Sequence, residues 1–187
     1  MIIGISGLQG SGKDTLGKIL ITKYGFIKLS FAESLKDITS IIFNWDRQLI
    51  EGTTTESRVF REKKDDWWST ELNQEITPRK MLQYLGTDLF RDNFNQDIWV
   101  KIMKRKLIEY KNLNKNIVIT DCRFLNEIQM IHKLGGIVIK IERDTCKPTI
   151  SHSSETSLSD FNFDFTIKNN KTIDDLHKSF EALNLKF

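Results

Sequence analysis

Residues 1–18 read MIIGISGLQGSGKDTLGK. Ile2, Ile3 and Ile5 make a short buried strand, a glycine-rich turn covers residues 7–12, and a helix opens at Lys13. Gly7-Leu8-Gln9-Gly10-Ser11-Gly12-Lys13 fits G-x-x-x-x-G-K, the phosphate-cradling loop. The spacing matters because consecutive backbone N–H groups must turn inward around an anion. Glycine reaches the required backbone angles cheaply and lets a ligand come close. The following helix aims its positive N-terminal end at the same anion, and Lys13 adds a full charge. Strand, loop, lysine and helix in this order predict a nucleoside triphosphate held by Gly7, Gln9, Gly10, Ser11, Gly12, Lys13 and the start of the helix.

One position departs from the pattern. Ser or Thr would follow the lysine to hold Mg²⁺; this chain has Asp14, with Thr15 next. A carboxylate there repels phosphates unless Mg²⁺ or its water shell lies between them. Asp14 is therefore expected on the metal side, directly or through water. The alternative is an acidic residue that only complements the first turn of the helix.

A chain of 187 residues suits one domain with room for a core. Its 39% hydrophobic and 28% charged residues describe a soluble globular protein. A net charge of +3 with no long basic run does not indicate nucleic-acid binding. Two cysteines, Cys122 and Cys146, lie far apart without metal-ligand spacing and fit a reducing compartment. The loop occupies the place of a signal peptide, and no apolar run could span a membrane. A cytoplasmic protein is expected, in a host's cytoplasm if the source is viral, and a homodimer is an open option.

Further along, the first helix should run over residues 13–23, end at Gly25 and lead to a strand over 26–30. A helix then starts near Ser30-Phe31-Ala32-Glu33, with Leu35, Ile38, Ile41 and Ile42 as its apolar face. The next clear strand is 117–120, ending at Asp121. More than eighty residues separate it from the second strand, too many for a simple crossover, so the interval should hold a helical insertion. Helices are expected over 79–91, with Pro78 at its start, and over 98–110. Phe124, Ile128 and Ile131 mark another, closed by Gly135-Gly136. Strands follow at 137–141 and 163–167, separated by a polar stretch from Arg143 on. Thr172 caps a last helix with Ile173, Leu176, Phe180 and Leu183 inward. Alternating strands and helices predict an α/β protein with a parallel sheet covered on both faces, its crevice at the strand C-terminal ends. Gly7, Ser30, Asp121, Arg143 and Asn169 all fall at or just beyond such ends.

GSGKDT (10–15), Ser30-Phe31-Ala32 with Lys36, TPRKMLQYLGTDLFRD (77–92), DCRFLNE (121–127) and His152-x-Ser154-Glu155 together resemble phage-type deoxynucleoside monophosphate kinases. The similarity touches both ends and the middle of the chain. It implies a three-layer P-loop kinase fold, five parallel strands in order 2-3-1-4-5, with a core over 1–43, 98–142 and 161–187. It also implies an acceptor-binding helical insertion over about 44–97 and a lid over about 143–160. The implied reaction transfers the γ-phosphoryl of ATP, with Mg²⁺, to a deoxynucleoside monophosphate.

On that resemblance Lys13, Asp121, Arg123 and Arg143 are the catalytic candidates. Asp121 ends a strand beside the loop, where it could hold Mg²⁺ through water, as Asp14 could, or receive the acceptor's charge network, or else cap the segment after it. Arg123 resembles the arginine that clamps the acceptor phosphate, for which a guanidinium fork suits better than lysine. Arg143 and Asn169 join the loop, Asp14 and Thr15 as ATP-binding candidates. Ser30, Phe31, Ala32, Lys36, Arg79, Gln83, Thr87, Arg91 and Arg123 are the acceptor-binding ones. On helical spacing, 79, 83 and 87 share a stripe that Arg91 continues with drift, opposite Met81, Leu82, Leu85 and Leu89. That stripe suits a nucleotide, or is a solvated face. Asn126 and Glu127 have no assigned role. His152 and Glu155 could belong to the lid or to a plain surface loop. His177 should be solvated, and Trp67 and Trp68 should pack the core or hinge of the insertion or else cover the acceptor base. Two rivals stand beside this reading: a P-loop kinase of another small acceptor, such as phosphomevalonate or dephospho-coenzyme A, and a nucleotide-dependent switch or ATPase. The chain contains no N-K-x-D guanine motif.

Overall fold

A strand of β-branched residues with no polar alternation needs cover on both faces, and β1 (Ile2–Ser6) has it: all five residues are buried. The structure, a computed structural model, describes residues 1–146, 158 and 161–187. Within them β1 lies mid-sheet, flanked by β3 (Ile117–Ile119) and β4 (Ile137–Glu142), with β2 (Ile27–Leu29) and β5 (Phe165–Lys168) at the edges. The order is β2-β3-β1-β4-β5 and every pairing is parallel. Gly4 of β1 stands opposite Ile119 on one side and Val138 on the other. This is the expected α/β architecture and strand order.

Helices cover both faces, as parallel crossovers demand. On one, α1 (Lys13–Tyr24) and α8 (Ile173–Glu181) bury Leu16, Leu20, Leu176 and Phe180 against Ile3, Ile5, Val118 and Ile139. Gly17 lets α1 come close to β3, since a Cβ there would meet Thr120. Gly25 stops α1 in the left-handed region and donates to the Ile21 carbonyl. On the other face lies α7 (Leu125–Lys133), with Ile128 and Ile131 fully buried.

Two compact units result: Met1–Phe31 with Val100–Phe187, and Ala32–Trp99. The second is helical, comprising α2 (Glu33–Phe43), α3 (Thr55–Glu62), α4 (Asp66–Glu71) and α5 (Pro78–Gln83), which continues as a π-helix (Tyr84–Asp92). α6 (Ile98–Asn112) follows, and from Val100 onward it belongs to the first unit. Phe43 stacks on Trp45 at 4.5 Å and meets Trp68 edge-on at 5.1 Å. Trp68 Nε1 donates to the Phe43 carbonyl at 3.0 Å, so this tryptophan packs its own unit as expected, whereas Trp67 is exposed.

Several expectations fail for traceable reasons. The buried face of α2 is Leu35, Thr39 and Phe43, four residues apart, while Ile41 and Ile42 are exposed. The aromatic stack draws Phe43 inward and turns the isoleucines out. Residues 79–91 do not form one α-helix. The i→i+5 bonds from Tyr84 onward widen the turn, so a four-residue step no longer advances as it does in α5. Leu89 is consequently 40% exposed rather than facing the core with Leu82 and Leu85, and Arg91 is buried. Gly86 tolerates the packing because its missing Cβ leaves room for Leu35, and its carbonyl accepts from Trp99 Nε1 at 2.8 Å. Ile173 is 64% exposed because α8 turns inward only from Leu176. His177 is not solvated: Tyr24 Oη lies 2.8 Å from its Nε2 and Lys23 Nζ 3.0 Å from its Nδ1.

Candidate active site

The loop between β1 and α1 bends where glycine permits it. Gly7 and Gly12 have φ of 144° and 108°, angles that L-residues rarely adopt. Neither has room for a Cβ. At Gly7 it would strike the Ile141 carbonyl, and at Gly12 the Asn169 amide. The loop is thus shaped from below by β4 and by the exit of β5. Ser11 is fully buried, and its carbonyl accepts from Asn169 Nδ2 at 2.8 Å. Lys13 Nζ donates to the Leu8 carbonyl at 2.7 Å, which holds the ammonium against the loop.

Beside the loop is a cavity of about 460 Å³, lined wholly by the first unit. The loop supplies Gly7, Gln9, Ser11 and Lys13. The turn after β3 supplies Cys122 and Arg123, and the end of β4 supplies Lys140, Glu142, Arg143 and Asp144. Four cationic side chains therefore meet one wall of backbone amides. Of the two carboxylates, Glu142 pairs with Lys140 at 2.7 Å, and Asp144 accepts from Asn170 Nδ2 at 2.7 Å. Lys140 also stands 5.5 Å over the Phe163 ring, another lining residue. Both cysteines line the cavity. Burial pushes the Cys122 thiol well above its ordinary pKa, and the nearby Glu127 and Asp121 carboxylates add to this, so it stays neutral.

The turn carrying Arg123 is fixed at both ends. Ser30 Oγ donates to Asp121 Oδ2 at 2.7 Å and the Phe31 N–H to Asp121 Oδ1 at 3.0 Å, tying β3 to the exit of β2. The Arg123 and Phe124 N–H groups donate to Glu127 Oε2 at 2.7 and 3.1 Å. Buried Glu127 is thus a brace for this turn.

The remaining candidates are placed as follows. Asp14 is exposed on the first turn of α1, and Thr15 is half-buried behind it. Asn169 lies beneath the loop, bonded to Ser11, and is not among the lining residues. In the second unit Lys36 Nζ is bonded to Glu51 at 2.9 Å, and Arg79 pairs with Glu62. Gln83 is exposed, Thr87 half-buried and Arg91 buried, so the stripe runs from surface to interior. Phe31 is buried and Ala32 starts α2. His152 and Glu155 lie outside the described residues, as does most of the expected lid. Sequence reasoning missed Lys140, Glu142, Asp144 and Asn170. The first two break the apolar run of β4 at a two-residue interval, a signal that one face of that strand's end meets something polar.

The family model for deoxynucleotide monophosphate kinase matches residues 47–180. The chain is 37% identical over 188 residues to a protein of Acanthamoeba polyphaga mimivirus provisionally named a deoxynucleotide monophosphate kinase, covering 95% of this chain and 92% of that one. It is 25% identical over 215 residues to the deoxynucleoside-5′-monophosphate kinase of Escherichia phage T5, covering 84% of this chain and 85% of that one. Among solved structures, dephospho-CoA kinase from Campylobacter jejuni aligns with a TM-score of 0.50 at 16% identity, covering 98% of this chain and 94% of that one. That last likeness is one of fold.

Proposed function

The chain belongs to the deoxynucleotide monophosphate kinase family, and on that footing we propose that it transfers the γ-phosphoryl of ATP to a deoxynucleoside 5′-monophosphate, giving the diphosphate. The observation that carries the reading is the charge of the cavity. Lys13, Arg123, Lys140 and Arg143 line it beside the phosphate loop, against two carboxylates, of which Glu142 pairs with Lys140 and Asp144 is held by the Asn170 amide, so cations are in excess. A phosphate monoester has its second pKa near about 6 and is largely dianionic at pH 7, so its attacking oxygen needs no base. What the transfer needs is in-line placement and cations where negative charge is shared. The lining cations support this reading.

In this reading the loop amides and Lys13 hold the donor's phosphates, with the ammonium exchanging the Leu8 carbonyl for a phosphate oxygen. Arg123 clamps the acceptor phosphate, and Arg143 stabilises the group in transfer. Asp14 and Asp121 are the carboxylates that would hold Mg²⁺ through its water shell. Mg²⁺ asks for few protein ligands, one or two carboxylates beside substrate phosphates and water. That suits a chain in which no cluster of three metal-binding side chains occurs among the described residues. When bound, the ion neutralises phosphate charge. The Gln83, Thr87 and Arg91 stripe of the second unit is assigned to the acceptor nucleotide, and the work is placed in a host cytoplasm, in keeping with the viral relatives.

A coupled assay of ADP release, run with ATP and a panel of deoxy- and ribonucleoside monophosphates, tests this. Turnover with at least one deoxynucleoside monophosphate is expected. Turnover only with a non-nucleotide phosphorylated acceptor would overturn it.

A further inference from the structure

The two residues after β5, Asn169 and Asn170, reach two different walls of the cavity. Asn169 is buried; its Nδ2 donates to the Ser11 carbonyl of the phosphate loop at 2.8 Å, and its N–H donates to the Glu142 carbonyl at 2.7 Å. Asn170 is exposed. Its Oδ1 accepts from the Asp144 N–H at 2.9 Å and its Nδ2 donates to Asp144 Oδ2 at 2.7 Å. Arg143 is therefore bracketed, since its neighbours on both sides are bonded to two consecutive residues of one strand exit.

We propose that the Asn169/Asn170 pair is a clamp of positioning residues that fixes Arg143 relative to the Ser11-Gly12 peptide of the phosphate loop. This rests on the assignment of that cavity to ATP. Each amide is chemically specified. At 169 a donor must meet the Ser11 carbonyl, in the space that Gly12 leaves by lacking a Cβ. At 170 one side chain must accept from a backbone N–H and donate to a carboxylate at once, which an amide does and a carboxylate alone does not. The bonds at Asn170 are exposed and contribute little to folding stability. Misplacing a catalytic group by a fraction of an ångström costs rate out of proportion to stability. Its loss should therefore appear in turnover and ATP binding before it appears in melting.

The pair at 170 permits a charge-reversed repair. In the double variant Asp144→Asn/Asn170→Asp the carboxylate at 170 accepts from the backbone N–H of 144, as the amide does now, and from the amide side chain at 144, so both bonds return and only the side-chain one is reversed. Six proteins are compared: wild type, Asn169→Ala, Asn170→Ala, the single variants Asp144→Asn and Asn170→Asp, and the double variant. Asn170→Ala is expected to lose roughly tenfold in kcat at an unchanged Tm, and the double variant to recover to within about threefold of wild type. Binding of a non-hydrolysable ATP analogue, read by calorimetry, should weaken about tenfold in Asn169→Ala and several-fold in Asn170→Ala. That arm stands even if no deoxynucleoside monophosphate is a substrate, so it separates the clamp from the acceptor reading. Wild-type analogue binding in Asn170→Ala, or a double variant worse than either single one, would overturn the clamp. Should Asn169→Ala fail to fold, the exposed 144/170 set decides alone.

Discussion

Ser30 and Asp121, ninety-one residues apart in sequence, are joined by a hydrogen bond of 2.7 Å across the ends of β2 and β3. The carboxylate expected to face a metal or an acceptor is thus oriented by the strand that opens the second unit's segment. Asp121→Asn keeps the shape and removes the charge, whereas Ser30→Ala keeps the charge and removes the orienting bond. If the carboxylate acts through Mg²⁺, only Asp121→Asn should change the metal concentration for half-maximal rate. Equal effects of the two would make Asp121 a tie between strands.

Lys13→Ala should leave folding intact, because the ammonium contacts a loop carbonyl rather than the core. Turnover should fall by roughly two to three orders of magnitude, as when a charge-stabilising donor is removed. Near-normal turnover would remove the loop from the mechanism.

Asp14 is exposed on α1, so Asp14→Ala should barely move Tm. It should raise the magnesium requirement, and Asp14→Ser should partly restore it. An unshifted requirement reduces the residue to a charge at a helix N-terminus.

Arg123 lines the same cavity as the loop, so its side of the reaction must be settled by kinetics. Arg123→Lys retains charge but loses the bidentate fork, and the KM for the monophosphate should rise well before that for ATP. Parallel rises would put Arg123 on the donor.

Burial alone would push the Glu51 carboxyl up, but hydrogen bonds from Arg47 and Lys36, at 2.6 and 2.9 Å, outweigh it and hold the pKa below its ordinary value. A carboxyl with a depressed folded pKa contributes stability above its unfolded value, near 4.5, which is lost as pH falls through the lower folded value. Melting temperature should drop on acidification below that point, and Glu51→Gln should flatten the drop while lowering Tm at neutral pH. Parallel profiles for the two proteins would show that this cluster does not carry the acid sensitivity.

The sequence disclosed whatever is local. The loop, its helix, the Gly25 stop and the Thr172 cap follow from a few neighbouring residues each. Extra helices between the second and third strands were legible because an eighty-residue gap cannot be a crossover. The facing of α2 was not, since Phe43 turns inward to meet Trp45 and Trp68, partners that a helical wheel does not contain. Periodicity also fails at Tyr84, where widening depends on how Gly86 packs against Leu35 and Trp99. Of the charged residues that line the cavity, Lys140, Glu142 and Asp144 escaped the sequence reading, while Lys13, Arg123 and Arg143 were readable from their motifs. The residues that hold them, Glu127 and Asn170, were not, because each works through a backbone N–H brought to it by the fold.

β1 pairs with β3 and β4, so Ile2 waits for Ile117 before it gains a hydrogen-bonded neighbour. On a ribosome the Ala32–Trp99 unit leaves the exit tunnel complete before any strand beside β1 has emerged. The earliest apolar strand of the chain thus waits longest for a neighbour, and its two bare edges are open to other nascent chains in the meantime. Synthesis rate across residues 32–117 should then govern soluble yield more strongly than the stability of the finished sheet does.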